Sequence, residues 1–161
     1  GTGKSTIGQL IATTIGAPLF SGDAVMTALE PLAEVLDALS SAEYASVCNG
    51  LLSSLAERQI VAGQDAVVDS IVTDEVLRDW AARFGASCRF RVVECAIGDP
   101  ELHRNRLAAR ALNEPNSHVV PWEALERMSL SLGPWTIDRL VVDASAPAKE
   151  NAARILDYID S

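Results

Sequence analysis

The chain opens on Gly1-Thr2-Gly3-Lys4-Ser5-Thr6, the closing part of the pattern G-x-x-x-x-G-K-[ST]. Gly3, Lys4 and Ser5 fill its last three positions. In that pattern the glycines let successive backbone N–H groups close on phosphate oxygens. The lysine reaches the β- and γ-phosphates, and the hydroxyl after it ligates Mg²⁺. A helix that begins at the lysine adds its positive dipole end. The pattern constrains the fold as strongly as the chemistry, because such a loop runs from a strand into a helix. The helix is legible: Ile7, Leu10, Ile11 and Ile15 share one face, and Gly16 stands where a C-cap glycine belongs. The strand and the first glycine of the pattern are expected ahead of Gly1, so the chain reads as a domain shorn of its first strand.

The remaining composition narrows the class. At 161 residues the chain suits one domain with a single sizeable core. A hydrophobic content of 48% excludes a disordered chain. No apolar run approaches a membrane span and no signal peptide is visible. Cys48, Cys88 and Cys95 lack metal-ligand spacing. An odd, sparse count fits a reducing cytoplasm and argues against zinc. The net charge of −9 argues against non-specific nucleic-acid binding, which needs a cationic surface. Of thirteen cationic residues only Lys4 and Lys149 are lysines, and one of them sits where the loop requires it.

Strand and helix signals alternate along the rest. Residues 18–21 read as a short strand leading to Gly22-Asp23, with a helix from about Ala24 and a second over 42–61. Ala66-Val67-Val68 reads as a buried strand ending in Asp69. Thr73 can N-cap a helix that Gly85 follows. Residues 88–97 are the longest strand candidate. Asp99-Pro100 opens a helix with Asp as N-cap and Pro at its first position. Residues 113–121 break the pattern. A helix over 121–132, a strand over 140–142 ending in Asp143, and a last helix over 147–160 complete the chain. Alternation of this kind implies a parallel sheet with helices on both faces, and ligands bind outside the carboxyl ends of its strands.

That rule selects Asp23, Asp69 and Asp143. Asp69 suits Mg²⁺, directly or through water. Asp23 could accept a proton from an acceptor hydroxyl, or merely cap the helix after it. Asp143 reads equally as a turn residue. Farther along, Arg106 and Arg110 are four apart and share a helix face, since each residue turns about 100°. Arg104 points nearly opposite. Two arginines on one face suit a lid over ATP; a solvated charged helix is the bland alternative.

Taken together these residues resemble the P-loop kinases of the nucleotide-kinase-like division, especially small bacterial AAA-family ATP-binding proteins described as predicted kinases. The resemblance spans nearly the whole chain. It rests on Gly1-Thr2-Gly3-Lys4-Ser5-Thr6, Ser21-Gly22-Asp23, Val67-Val68-Asp69 with Arg78 downstream, Arg106-Leu107-Ala108-Ala109-Arg110 and Val141-Val142-Asp143. Polynucleotide kinases, gluconate kinases, chloramphenicol phosphotransferase and zeta-type toxins belong to the same division. The resemblance implies a three-layer α/β fold over residues 1–161, with about five parallel strands and a lid around 100–121. It makes Gly1, Thr2, Gly3, Lys4, Ser5, Thr6 and Asp143 nucleotide contacts, with Thr6 near the α-phosphate. Ser5 and Asp69 become Mg²⁺ ligands, Asp23 the acceptor-side carboxylate, and Arg106 and Arg110 lid arginines that act with Lys4 in catalysis. ATP and Mg²⁺ are the cofactors it implies.

One departure bears on the substrate. Polynucleotide kinases of this type carry an arginine three residues after the acceptor carboxylate, and here that residue is Met26. Val25, Met26, Leu29, Leu32, Val35 and Leu36 make residues 24–39 largely apolar. They serve either as core or as the floor of an acceptor pocket for a weakly polar small molecule. The expected function is therefore an ATP- and Mg²⁺-dependent phosphotransferase acting on a small-molecule hydroxyl. A 5′-end nucleic-acid kinase and a nucleotide switch without transfer are the alternatives. No Asn-Lys-x-Asp guanine motif is present, which argues against a GTPase; the expected partner is a small-molecule substrate, not nucleic acid or a membrane, and no oligomeric state is legible.

Overall fold

Helix α1 (Lys4–Ile15) starts after Gly3 at φ 72° and ends on Gly16 at φ 68°. Both glycines are left-handed, a conformation in which a Cβ would crowd the neighbouring carbonyl. The structure, a computed structural model, describes residues 2–113 and 121–161. Gly1 and residues 114–120 of the expected lid lie outside the described residues. After α1 come β1 (Leu19–Ser21), α2 (Gly22–Leu29), α3 (Ala33–Leu36), α4 (Ser41–Val61), β2 (Val67–Asp69), α5 (Asp74–Phe84) and β3 (Val93–Ala96). Then follow α6 (Pro100–Asn113), α7 (Trp122–Ser131), β4 (Leu140–Asp143) and α8 (Ala148–Asp160).

Local chemistry sets most of these boundaries. Ser40 and Glu43 form a reciprocal capping box that starts α4. The Thr73 hydroxyl accepts from Val76 N–H to start α5. Asp99 Oδ1 accepts from the N–H groups of Glu101 and Leu102 at the start of α6. The single helix expected from about Ala24 is interrupted. A 3₁₀ turn occupies Glu30–Leu32, with Pro31 in its first positions. Proline lacks the N–H that would continue α2 and its ring clashes with the preceding turn.

The sheet departs from the expected single array of about five strands. Among the described residues four strands form two separate parallel pairs. In one pair Leu19 lies opposite Val67 and Ser21 opposite Asp69. In the other Val93 lies opposite Leu140 and Ala96 opposite Asp143. The strand expected over 88–97 is only Val93–Ala96, because β4 offers a ladder of that length and no more. A strand extends as far as its partner does.

Helices cover both faces of these pairs. On one face Ile7 and Ile11 of α1 meet Val142 of β4 and Ala152 and Ile155 of α8. On the other, Leu52 of α4 meets Val72, Val92 and Leu77, Trp80 and Phe84 of α5. Successive residues alternate between them: Val67 packs with the first cluster and Val68 with the second. Full burial of a side chain such as Leu52 stabilises by about 1.5–3 kcal/mol. Asn151 is buried and donates from Nδ2 to the Asp143 carbonyl at 2.7 Å, tying α8 to the end of β4.

A second tie was not legible beforehand. Asp74 accepts from Thr136 N–H at 2.7 Å, Ile137 N–H at 2.9 Å and the Thr136 hydroxyl at 2.6 Å. Arg78 lies 3.3 Å from the same carboxylate. These donors, Thr136 first, hold the Asp74 carboxyl below its ordinary range. A lowered folded value means stability that is present above the unfolded pKa and is lost as pH falls toward the folded one. Asp74→Asn is therefore expected to lower Tm at neutral pH and to flatten its fall in acid. Glu43 and Asp143 are also held low and add to the parent's slope. The measurement is thus the difference in Tm between parent and variant across pH. An unchanged difference from neutral pH into acid would refute the assignment.

Candidate functional site

Parallel pairing brings the carboxyl ends of paired strands to the same side, and three acids stand at or just after strand ends. Asp69 is the last residue of β2 and Asp143 the last of β4. Asp23 follows β1 by two residues, in the first turn of α2.

Lys4, the first residue of α1, pairs through Nζ with Asp69 Oδ1. The Asp69 side chain is 2% exposed and that of Lys4 33%. The other Asp69 oxygen, Oδ2, is buried and has no hydrogen-bond partner among the described residues. A buried carboxylate oxygen without a donor is costly, and a cation beside it removes that cost. Ser5 and Thr6 are exposed in the first turn of α1, and no side chain caps that helix. Its first N–H groups are therefore available to an anion. These features fit Mg²⁺ with a polyphosphate. Among the described residues no cluster of three acidic, His or Cys ligands could hold a metal. A hydrated Mg²⁺ held by one carboxylate, Ser5 and substrate phosphates needs none.

Asp23 does not cap α2. Ser21 takes that position, its hydroxyl accepting from Ala24 N–H at 3.4 Å. This leaves the Asp23 carboxylate to accept from Arg110 Nη2 at 2.8 Å. Gly22 makes the approach possible: a Cβ there would lie 2.9 Å from Ser70 Oγ and 3.5 Å from the Asp69 carbonyl. The start of α2 thus lies against the end of β2.

The arginines follow the expected helical phase. Arg106 donates from Nη1 to the Ala144 carbonyl at 2.6 Å, in the turn after β4. Arg110 reaches Asp23. Arg104 turns to α7, lying 4.7 Å from the Trp122 ring centroid and 3.6 Å from Glu126. Asp143 Oδ1 accepts from Ser145 N–H at 2.8 Å, which lowers its carboxyl pKa. One of its oxygens is thus engaged in a local turn. Arg78, noted downstream of Asp69, pairs with Asp74.

The segment over 24–39 is less buried than a core helix. Leu32 is 52% exposed and Val35 72%, while Val25 packs on the α4–α5 cluster and Met26 is half-buried. No pattern rule pointed to His103 and Trp122. Their rings meet edge to face at 5.2 Å. His103 Nε2 and Trp122 Nε1 are buried without hydrogen-bond partners among the described residues. Burial, with Arg106 among the nearby positive charges, keeps the His103 pKa low. The pair joins α6 to α7, and separation in sequence hid it.

Against known proteins the fold is shared end to end. A candidate kinase from Chloroflexus aurantiacus superposes with a TM-score of 0.69 at 18% identity, covering 99% of this chain and 91% of its own. A sugar kinase from Janibacter sp. HTCC2649, in unliganded form, gives 0.72 at 19% identity, with 99% and 89% covered. At such identity the likeness establishes the fold. No curated protein matches the chain. The AAA domain family matches over residues 1–134, a span that takes in the glycine loop, Asp23, Asp69, and Arg106 and Arg110 of α6; the chain belongs to the AAA domain family.

Proposed function

We propose that this chain is an ATP- and Mg²⁺-dependent phosphotransferase whose acceptor is the hydroxyl of a small molecule. The observation that carries the proposal is the convergence of two ion pairs at strand ends: Lys4 with Asp69, and Arg110 with Asp23. In this reading the first turn of α1 binds the phosphates, Lys4 exchanges Asp69 for them, and Asp69 with Ser5 holds the metal. Mg²⁺, when bound, neutralises charge on the phosphates. Asp23 orients the acceptor hydroxyl or takes its proton, and Arg106 and Arg110 stabilise charge on the transferring group. The kinase descriptions of the two fold neighbours agree with transfer rather than switching.

Met26 and the net charge of −9 favour a small acceptor over a nucleic-acid end. The exposed apolar residues of the 24–39 segment suit a weakly polar one. Among the described residues no helix is long and apolar enough to cross a membrane. The odd, sparse cysteine count is what favours a reducing cytoplasm.

The test is a screen of small hydroxyl compounds and 5′-hydroxyl oligonucleotides, read by ADP release and by phosphate on the acceptor. Transfer to a small molecule is expected. ADP release with no labelled acceptor would favour the switch, and transfer only to oligonucleotides the nucleic-acid kinase.

A prediction on the arginines follows. Arg106→Ala is expected to lower kcat on the order of 10²-fold, a usual loss for one preorganised donor. ADP affinity should change little, because the charge it meets develops in the transition state. Arg104→Ala is the control and should transfer near the parental rate, since its contacts are to Trp122 and Glu126. A greater loss for Arg104→Ala than for Arg106→Ala would overturn the assignment of that helix face.

A further inference from the structure

We infer that the outer face of α4 is a contact between two copies of this chain. The two helices pack antiparallel across a two-fold axis that passes between Gly50 and Leu51.

Three observations carry this. First, α4 is apolar on two faces. Cys48, Leu52 and Ala56 are buried in the chain's own fold. On the outward side Val47, Leu51 and Leu55 are 38%, 43% and 41% exposed. They are four residues apart, so they stand one above another as a ridge. Residues 44–56 carry no charged side chain, in a chain of net charge −9. The exposed face of a helix is ordinarily polar and charged. An apolar stripe rimmed by charge is instead the composition of a protein contact.

Second, the fold of one chain gives no reason for Gly50. Its φ is not positive, and a Cβ built on it would meet nothing within 4 Å. Glycine inside a helix is less stable than alanine at the same place. A second helix supplies the reason, because helices approach most closely where the contact residue is small.

Third, the face is complementary to itself. Across the two-fold axis each residue lies level with the one equally far from the axis on the other side. Leu51 is then level with the partner's Gly50, Val47 with the partner's Ser54 and Leu55 with the partner's Ser46. Every large side chain of the ridge meets a small one. About two turns out, Glu43 is level with the partner's Arg58, and symmetry makes that pair twice. Arg58 is exposed and has no ion-pair partner among the described residues, whereas Glu57 beside it turns to Arg83. The bonds of Glu43 to Ser40 use Oε2, which leaves Oε1 for a guanidinium. A parallel pair would set Glu43 against Glu43 and Arg58 against Arg58, with repulsion at both ends. A different partner would have to match the pattern by accident; a second copy matches it by identity. With one helix a side the contact is smaller than a standard interface, so the dimer is weak, with Kd on the order of tens of micromolar.

The experiment is sedimentation equilibrium of the chain without nucleotide, at low salt, from about 5 µM to about 500 µM, a range that brackets such a Kd. The mass of the parent is expected to rise from that of one chain, 17.1 kDa, toward that of two. Leu51→Glu changes an exposed position, so the fold should survive. It puts like charges beside the axis and should weaken association by about tenfold or more. Gly50→Gln should raise Tm in dilute solution, because glutamine is the better helix former, and yet weaken the dimer. A glycine needed only by the single chain would not give that opposed pair of effects. Arg58→Glu should weaken association by about tenfold, and Glu43→Lys added to it should restore the pairing with its charges exchanged. A parent that stays monomeric up to the highest concentration overturns the contact and leaves this face to another partner. A dimer that Leu51→Glu and Gly50→Gln leave unchanged also overturns it. Failure of the charge exchange to restore association overturns the antiparallel register. Mass is read with no nucleotide present, so the outcome does not depend on the phosphotransferase reading.

Discussion

Lys4→Ala is expected to lower phosphoryl transfer on the order of 10²- to 10³-fold, the loss typical of one preorganised electrostatic contact. It should also cancel the rise in Tm that Mg-ATP gives the parent, because a ligand stabilises only the state that binds it. A second effect must be separated from the first. Lys4 is the partner of Asp69, whose other oxygen already lacks one. Removing the lysine leaves a buried carboxylate with neither oxygen bonded, at a cost of about 1–3 kcal/mol in the nucleotide-free protein. Breaking a fully buried pair costs more, but Lys4 is 33% exposed and water reaches its end of the contact. Lys4→Ala with Asp69→Asn removes the stranded charge. That double variant should recover part of the lost Tm and none of the response to Mg-ATP. A full Mg-ATP shift in it would mean that the first turn of α1 does not bind phosphate.

What could be read from sequence, and what could not, divides by the range of the interaction. The ends of α1, α5 and α6 depend on residues within one turn, and Gly16, Thr73 and Asp99 marked them. Short β-branched runs ending in aspartate located β2 and β4 for the same reason. Pro31 was a local signal too, but the apolar spacing of Leu29, Leu32 and Val35 masked it. The length of β3 could not be read, because β4 sets it from far along the chain. At the site, the helical phase of Arg104, Arg106 and Arg110 followed from spacing alone. Their partners did not. No local rule joins Arg110 to Asp23 across 87 residues, or Asp74 to Thr136 across 62. Whether Asp23 caps α2 was undecidable from Ser21-Gly22-Asp23, since both Ser and Asp cap well. Packing of Gly22 against Ser70 accompanies the arrangement in which Ser21 takes the cap.

Asp23→Asn is expected to lower transfer to the acceptor on the order of 10²-fold or more, a usual size for loss of a general base. Fold and Mg-ATP binding should survive. Ser21 holds the cap of α2, so the substitution uncaps nothing. The Asp23–Arg110 pair is partly exposed, at 40% and 28%, and such pairs contribute about 0–1 kcal/mol. The geometry leaves two ways for Asp23 to matter. It can meet the acceptor, or it can only hold Arg110 in place. Arg110→Ala separates them. If holding Arg110 is its whole role, both single variants break one contact, and the double variant should be no slower than either. If Asp23 meets the acceptor, Asp23→Asn should lose more than Arg110→Ala, with the extra loss depending on which acceptor is offered. A switch has no acceptor, and there Asp23→Asn should leave slow ATP hydrolysis intact. Transfer by Asp23→Asn at the parental rate would remove Asp23 from the acceptor site, and the placement of that site at the start of α2 would go with it.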